Sequence, residues 1–228
     1  MPQVKVLIVD DEPDILDLLA YNLEKEGYEV KKAHNGEEAL EKAKSQTPDL
    51  VLLDIMMPQL DGIETCRRLR ALPNMQQAYV VFLTARSEEY SELAGFEAGA
   101  DDYISKPIKP RLLLSRIKAI LRRDQLRNSS EQNVLKVHDL EIIRDEYVVR
   151  HAGKTLTLPR KEFELLSYLA ARPGKVYSRE KLLERVWGDV YVVDRTVDVH
   201  VRKLREKLGN EYIQTVKGVG YKFMPESS

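Results

Sequence analysis

The chain has 228 residues, 43% hydrophobic and 32% charged, with a formal net charge of −1. This globular composition excludes disordered and collagen-like classes, and at roughly 100–200 residues per domain it leaves room for two domains. No apolar run approaches the roughly 18 residues of a membrane span, and the N-terminal apolar run is too short for a signal-peptide core. A single cysteine, Cys66, makes no internal disulfide, so a cytoplasmic protein without membrane contact is the default expectation. The charge divides unevenly. Residues 1–124 carry 17 Lys+Arg against 22 Asp+Glu, and residues 125–228 carry 19 against 15. An acidic half followed by a basic half implies two domains with different partners.

The first half alternates strand and helix patterns. Val4–Val9 is a β-branched run, and residues 14–26 follow with Ile15, Leu18, Leu19 and Leu23 at helical spacing. The same alternation repeats through a strand over 29–33, a helix over 36–45, a strand over 50–53 and a helix over 61–71. It ends with a strand over 79–83, a helix over 88–98, a short strand at 103–104 and a helix over 110–123. Five such units predict a doubly wound α/β domain with a five-stranded parallel sheet over residues 1–123. Ligands of such sheets bind at the carboxyl ends of the strands. Asp10 and Asp11 stand at the end of the first strand, Asp54 at the third, Thr84 at the fourth and Lys106 after the fifth. Three crowded carboxylates need a cation, and all-oxygen ligands select a hard ion such as Mg²⁺. A carboxylate beside that ion can act as a nucleophile toward phosphorus, with Lys106 and the Thr84 hydroxyl on phosphoryl oxygens.

Residues 124–133 are polar and aperiodic and read as a linker. Residues 134–228 change character: four short alternating segments between 135 and 158 predict a small antiparallel sheet. Helices follow over 160–171, over 179–187 with Ser178 as cap, and over 195–208 with Asp194 as cap. The tail, 212–223, is a hairpin around Lys217-Gly218-Val219-Gly220. On the 195–208 helix, Val197, Val201, Leu204 and Leu208 share a core stripe. Arg195, Val199, Arg202 and Glu206 lie opposite, with Thr196 and Lys203 beside them and His200 and Arg205 on the flanks. A basic face with a threonine in its first turn suits a DNA major groove, and a basic hairpin tip suits the minor groove. Asp198 on the same helix runs against this, since a carboxylate repels phosphate.

The motifs LIVDDEPDI, LVLLDIMMPQLDG, FLTAR and GADDYISKP resemble the CheY-like receiver domain of bacterial two-component systems. The resemblance implies that Asp54 accepts phosphoryl from a sensor histidine kinase. It implies that Asp10 or Asp11, with Asp54 and the Met56 carbonyl oxygen, holds Mg²⁺. In that family the position of Asp11 is the more usual direct ligand, and that of Asp10 acts partly through water. It further implies phosphoryl contacts from Lys106 and Thr84, a cis Lys106–Pro107 bond, and a switch in which the Thr84 hydroxyl moves toward phosphate as the Tyr103 ring turns inward. Kinase choice would lie around residues 13–19.

The second half, with LTLPRKEFELLSYLA, VYSREKLLERVWG, DRTVDVHVRKLREKLG and YIQTVKGVGYKF, resembles the winged helix-turn-helix effector domain of OmpR/PhoB-type response regulators. That resemblance implies DNA contacts from Arg195, Thr196, Val199, His200, Arg202, Lys203, Arg205, Lys217 and Tyr221. It also implies an RNA polymerase contact over residues 188–193 and promoter sites that are direct repeats. Phosphorylation would form a homodimer through a face including Leu93, Ala94, Glu97, Asp101, Asp102, Leu112, Arg116, Lys118 and Arg122, with an Asp102–Arg116 pair between subunits. Ala94 and Leu112 stand where the family usually places opposite charges, so this interface is expected to be more apolar. The chain would be no dedicated enzyme, although it would be able to hydrolyse its own aspartyl phosphate. An aspartyl-phosphate phosphatase is disfavoured, because it needs a second acid where Met56 stands. A flavodoxin-like cofactor protein is disfavoured because Asp10-Asp11-Glu12 would repel phosphate. A phosphorylation-independent DNA-binding regulator remains the alternative.

Overall fold

A computed structural model of the chain describes residues 3–85, 95–127, 134–137, 139–188 and 195–224. The chain divides into two compact units, Met1–Arg123 and Asp124–Ser228.

The first unit runs β1 (Lys5–Val9), α1 (Pro13–Lys25), β2 (Glu29–Ala33), α2 (Gly36–Ser45), β3 (Leu50–Asp54), α3 (Gly62–Ala71) and β4 (Tyr79–Ala85). A helical turn at residues 95–98 (α4), β5 (Asp102–Lys106) and α5 (Pro110–Arg127) follow. All strand pairings are parallel, in the order β2-β1-β3-β4-β5. The order reverses direction between β1 and β3, which puts the ligand crevice outside their carboxyl ends. Every residue of β3 is buried, as a central strand covered on both faces requires. One face of the sheet packs Val6, Ile8, Leu50, Leu52, Val81 and Leu83 against Leu16, Leu19 and Leu23 of α1 and Leu113 and Ile117 of α5. Asn35 and Asp61 accept from the backbone N–H of Glu38 (2.9 Å) and Glu64 (2.8 Å), starting α2 and α3. The expected helix over 88–98 lies outside the described residues except for 95–98. α5 continues to Arg127, four residues into the expected linker. Asp124–Arg127 carries no glycine or proline to stop it. The rest of that stretch, 128–133, lies outside the described residues.

The second unit opens with an antiparallel sheet of β6 (Val134–Val137), β7 (Leu140–Ile143), β8 (Val148–His151) and β9 (Lys154–Thr157), in that order. Then come α6 (Arg160–Ala170), β10 (Val176–Ser178), α7 (Arg179–Val186), α8 (Arg195–Leu208), β11 (Ile213–Val216) and β12 (Gly220–Phe223). β12 lies between β10 and β11 in a three-stranded sheet. β10 was not expected, because three residues are too few to show a period. Ser178 starts α7 by accepting from Lys181 N–H at 3.2 Å, as expected, whereas Trp187 is the cap that ends α7 and not part of it. The Asp194 cap lies outside the described residues. Val197, Val201, Leu204 and Leu208 all enter the core with Phe163, Leu166, Leu169, Leu182 and Trp187. Between β11 and β12, Val219 N–H donates to Val216 O at 3.0 Å and Gly218 takes a φ of 75°, a conformation that favours glycine. Among the described residues, no helix is long and apolar enough to cross a membrane.

Candidate phosphoacceptor pocket and nucleic-acid face

The strand ends of the first unit converge as the topology demands. Carboxylate oxygens of Asp10, Asp11 and Asp54 lie within 4.8 Å of one another. Asp10 and Asp54 are buried and Asp11 is exposed. Lys106, at the end of β5, reaches across the sheet: its Nζ is 2.9 Å from Asp54 Oδ1, 3.0 Å from Asp10 Oδ2 and 3.5 Å from Glu12 Oε1. Burial pushes the Asp54 carboxyl above its ordinary value, and the Lys106 ammonium only partly offsets this. Burial also works against the Lys106 charge, but hydrogen bonds to Asp54 and Asp10 outweigh it and hold the ammonium more firmly protonated than usual. Carboxylates outnumber the ammonium they share, so the pocket has room for added positive charge. Its all-oxygen donor set fits a hard divalent cation.

Thr84 is half-buried on β4 and pairs in register with Ser105. The Lys106–Pro107 peptide is cis. Met56 follows β3 and is 69% exposed. Tyr103 is buried on β5, an edge strand of the sheet. Its ring already lies inward, 4.7 Å from the Phe96 ring and 5.6 Å from that of Phe82. Two participants escaped the sequence reading. Glu12 joins the pocket as a third partner of Lys106. Gly62 opens α3 directly behind the acid: a Cβ there would lie 2.0 Å from the Asp54 backbone oxygen, and its N–H donates to Ile55 O at 3.0 Å. The Asp61-Gly62 pair after β3 was the available signal for it.

The helix face in the second unit departs from expectation. Arg195, Arg202 and Lys217 are exposed and Lys203 is half-buried. Thr196, Val199, His200 and Tyr221, read as DNA contacts, are buried, at 0%, 8%, 3% and 4% exposure. His200 Nδ1–H donates to Thr196 O at 2.9 Å, and the ring meets Trp187 edge-on at 5.0 Å. Burial holds its pKa down to about 3, so it is a neutral core histidine. The Tyr221 hydroxyl donates to Asp198 Oδ1 at 2.7 Å. Arg205 is also engaged internally, donating to Ile213 O (2.7 Å) and Thr215 Oγ1 (2.9 Å). A period count treats a helix as having one covered face. α8 packs on both α6 and α7, and β12 and Trp187 also reach its side chains.

The receiver-domain profile of response regulators matches residues 6–118, and the profile of the C-terminal domain of transcriptional regulatory proteins matches residues 153–223. The chain is 45% identical over 231 residues to the alkaline phosphatase synthesis transcriptional regulatory protein PhoP of Bacillus subtilis (strain 168), covering 96% of this chain and 95% of that one. It is 46% identical to the transcriptional regulatory protein ResD of the same organism, covering 97% and 96%. The crystal structure of DrrB, a Thermotoga maritima OmpR/PhoB homologue, matches with a TM-score of 0.52 at 37% identity, over 98% of this chain and 100% of that one.

The chain belongs to the OmpR/PhoB family of response regulators. As such it is a two-component transcription regulator, with a receiver that implies a histidine-kinase partner and an effector domain that implies DNA. In this response regulator the expected dimer residues divide. Leu112 is 52% exposed on α5. Asp101 is buried and takes Arg70 in an internal ion pair at 2.6 Å. Asp102 is buried too. Arg116 donates to Tyr103 O, and Lys118 pairs with Glu26 at the end of α1. These side chains are therefore engaged within the chain, and the Asp102 carboxylate does not stand on the surface. Leu93, Ala94, the Arg122 side chain and the 189–193 loop lie outside the described residues.

Proposed function

We propose that Asp54 is the phosphoacceptor and that its phosphorylation by a sensor histidine kinase controls promoter binding. The observation that carries this reading is Lys106 bridging Asp54 and Asp10 at the switch point of the sheet. An Asp54 oxygen attacks the phosphohistidine phosphorus. The P–N bond breaks as the P–O bond forms, and the imidazole takes up a proton. Lys106, released from the phosphorylated oxygen, offsets charge on the phosphoryl oxygens, and the Thr84 hydroxyl donates to one of them. Asp10, Asp11, Asp54 and the Met56 carbonyl would hold Mg²⁺, which supplies further positive charge beside those oxygens. Water returns the acyl phosphate to carboxylate. The kinase would read α1, where Leu18 is 47% exposed.

Phosphate binds one receiver state better, and the shift in population favours a homodimer. Its contact includes Leu112, without Asp101 or Asp102 as surface charges. Two effector domains then gain effective concentration on adjacent direct repeats, where RNA polymerase meets the 188–193 loop. Arg195, Arg202, Lys203 and Lys217 make the DNA contacts.

The test is intact mass after incubation with acetyl phosphate and Mg²⁺, beside Asp54→Ala. One phosphoryl adduct on the wild type alone is expected. No adduct from acetyl phosphate or from a kinase, with the fold intact, would favour the phosphorylation-independent regulator.

A further inference from the structure

Asp198 sits in the first turn of α8, between the exposed Arg195 and Arg202. A free carboxylate there would oppose phosphate and weaken binding. It is not free. Its Oδ1 accepts from Arg179 Nε and from the Tyr221 hydroxyl, both at 2.7 Å, and Arg179 Nη2 lies 3.3 Å from the same hydroxyl. Arg179 begins α7 and Tyr221 lies on β12, so three elements meet at one oxygen. The buried Tyr221 ring carries the Arg179 guanidinium 5.0 Å from its centroid, with that of Arg205 at 5.8 Å. Arg205 makes a second tether, from the third turn of α8 to Ile213 and Thr215 of β11. The hairpin is thus tied to the helix by one strand near the helix start and by the other strand two turns later.

We infer that Asp198 is a positioning residue for DNA recognition: through Arg179 and Tyr221 it sets the β11–β12 hairpin against α8, so that Arg202 on the helix and Lys217 on the hairpin engage one site in fixed register. This rests on the reading of the second unit as the DNA-binding domain. Arg179 cancels the carboxylate charge toward DNA. A hairpin free to swing would still touch phosphates, but it would lose the alignment that distinguishes sequences.

The sign of one substitution tests this. The full-length chain, treated with acetyl phosphate and Mg²⁺, selects a duplex from a random-sequence pool. Asp198→Ala and Tyr221→Phe are then compared with wild type on that duplex and on a shuffled duplex of equal length, across a salt series. Positioning predicts that both variants lose roughly tenfold on the selected duplex, the scale of one misaligned base contact. The shuffled duplex and the salt slope should hardly change. The double variant should be no worse than Asp198→Ala alone. Tighter binding of both duplexes by Asp198→Ala, with a steeper salt slope, would show a mere repelling charge and overturn the inference, as would unchanged binding. If Asp198→Ala does not fold, Tyr221→Phe, which loses only a hydroxyl, decides alone. A wild type that selects no duplex would instead count against the DNA-binding reading.

Discussion

In the first unit Lys106 faces Asp10, Asp54 and Glu12 at once, so several carboxylates share one ammonium. In the second, Lys161 takes Glu164 at 2.9 Å and Lys207 takes Glu162 at 2.6 Å, with Arg160 a further 3.9 Å from Glu164. Glu162, Glu164 and Lys161 are all buried. Both regions bury charge, yet only the first leaves it unbalanced. Unbalanced carboxylates at strand ends leave an oxygen donor set that fits a cation. Balanced ones tie helices together: Lys161 also donates to Val186 O, joining α6 to the end of α7. The imbalance, more than the burial, distinguishes the candidate pocket from a structural staple.

Lys161→Ala removes a cation from the balanced set and takes from Glu164 its nearer cation, with Arg160 at 3.9 Å. It should cost about 3–5 kcal/mol in the second unit. The unfolding midpoint in urea, followed by fluorescence of Trp187, the only tryptophan, measures it. A shift worth under about 1 kcal/mol would mean that the ion pair is no staple.

In the unbalanced set, removing charge should matter less than adding it. Saturating Mg²⁺, at a hundredfold over its dissociation constant, should stabilise the receiver by about 2.7 kcal/mol. Calorimetry of the full chain in Mg²⁺ and in EDTA should show one transition moving and the other not. Asp11→Ala should abolish most of that shift. Equal movement of both transitions would erase the distinction between the regions.

Gly62→Ala tests how tightly the pocket is held from behind. The added methyl must displace α3 or the Asp54 backbone, and misplacement of that order lowers phosphorylation by acetyl phosphate by roughly 10–100-fold. The unfolding midpoint should fall as well, because the atoms that must give way are backbone.

The smallest effect concerns His200. Its folded pKa, held down to about 3, lies below the ordinary 6.5. The unfolded chain therefore binds the extra proton, and stability falls as pH drops below about 6.5 and on toward 3. Trp187 packs on this ring, so its fluorescence in urea at pH 7 and pH 5 reads the effect. His200→Phe should flatten the pH dependence. An unchanged slope would mean that His200 is not the group whose protonation opposes folding.

The pocket could be read from the chain because strand-end acids are brought together by topology alone. Once Val4–Val9, Leu50–Leu53 and Tyr79–Leu83 are parallel strands, Asp10, Asp54 and Thr84 share a rim whatever the details of packing. The face of α8 could not be read in the same way. Its core stripe was correct, because spacing dictates which residues share a side. Whether the opposite side is open depends on what else the fold brings to it.

Sequence pattern and residue chemistry alone therefore specified the two domain types, the order of the described strands and helices apart from β10, the acidic rim and the basic character of α8. Periodicity and charge are local properties. Folding decided that His200, Thr196, Val199 and Tyr221 lie inside, that Asp198 and Arg205 hold the hairpin, and that Gly62 backs the acid. Each of these depends on a partner from another element, as with Trp187 on His200, β12 on Asp198 and the Asp54 backbone against Gly62. Contacts between segments far apart in the chain leave no period to read.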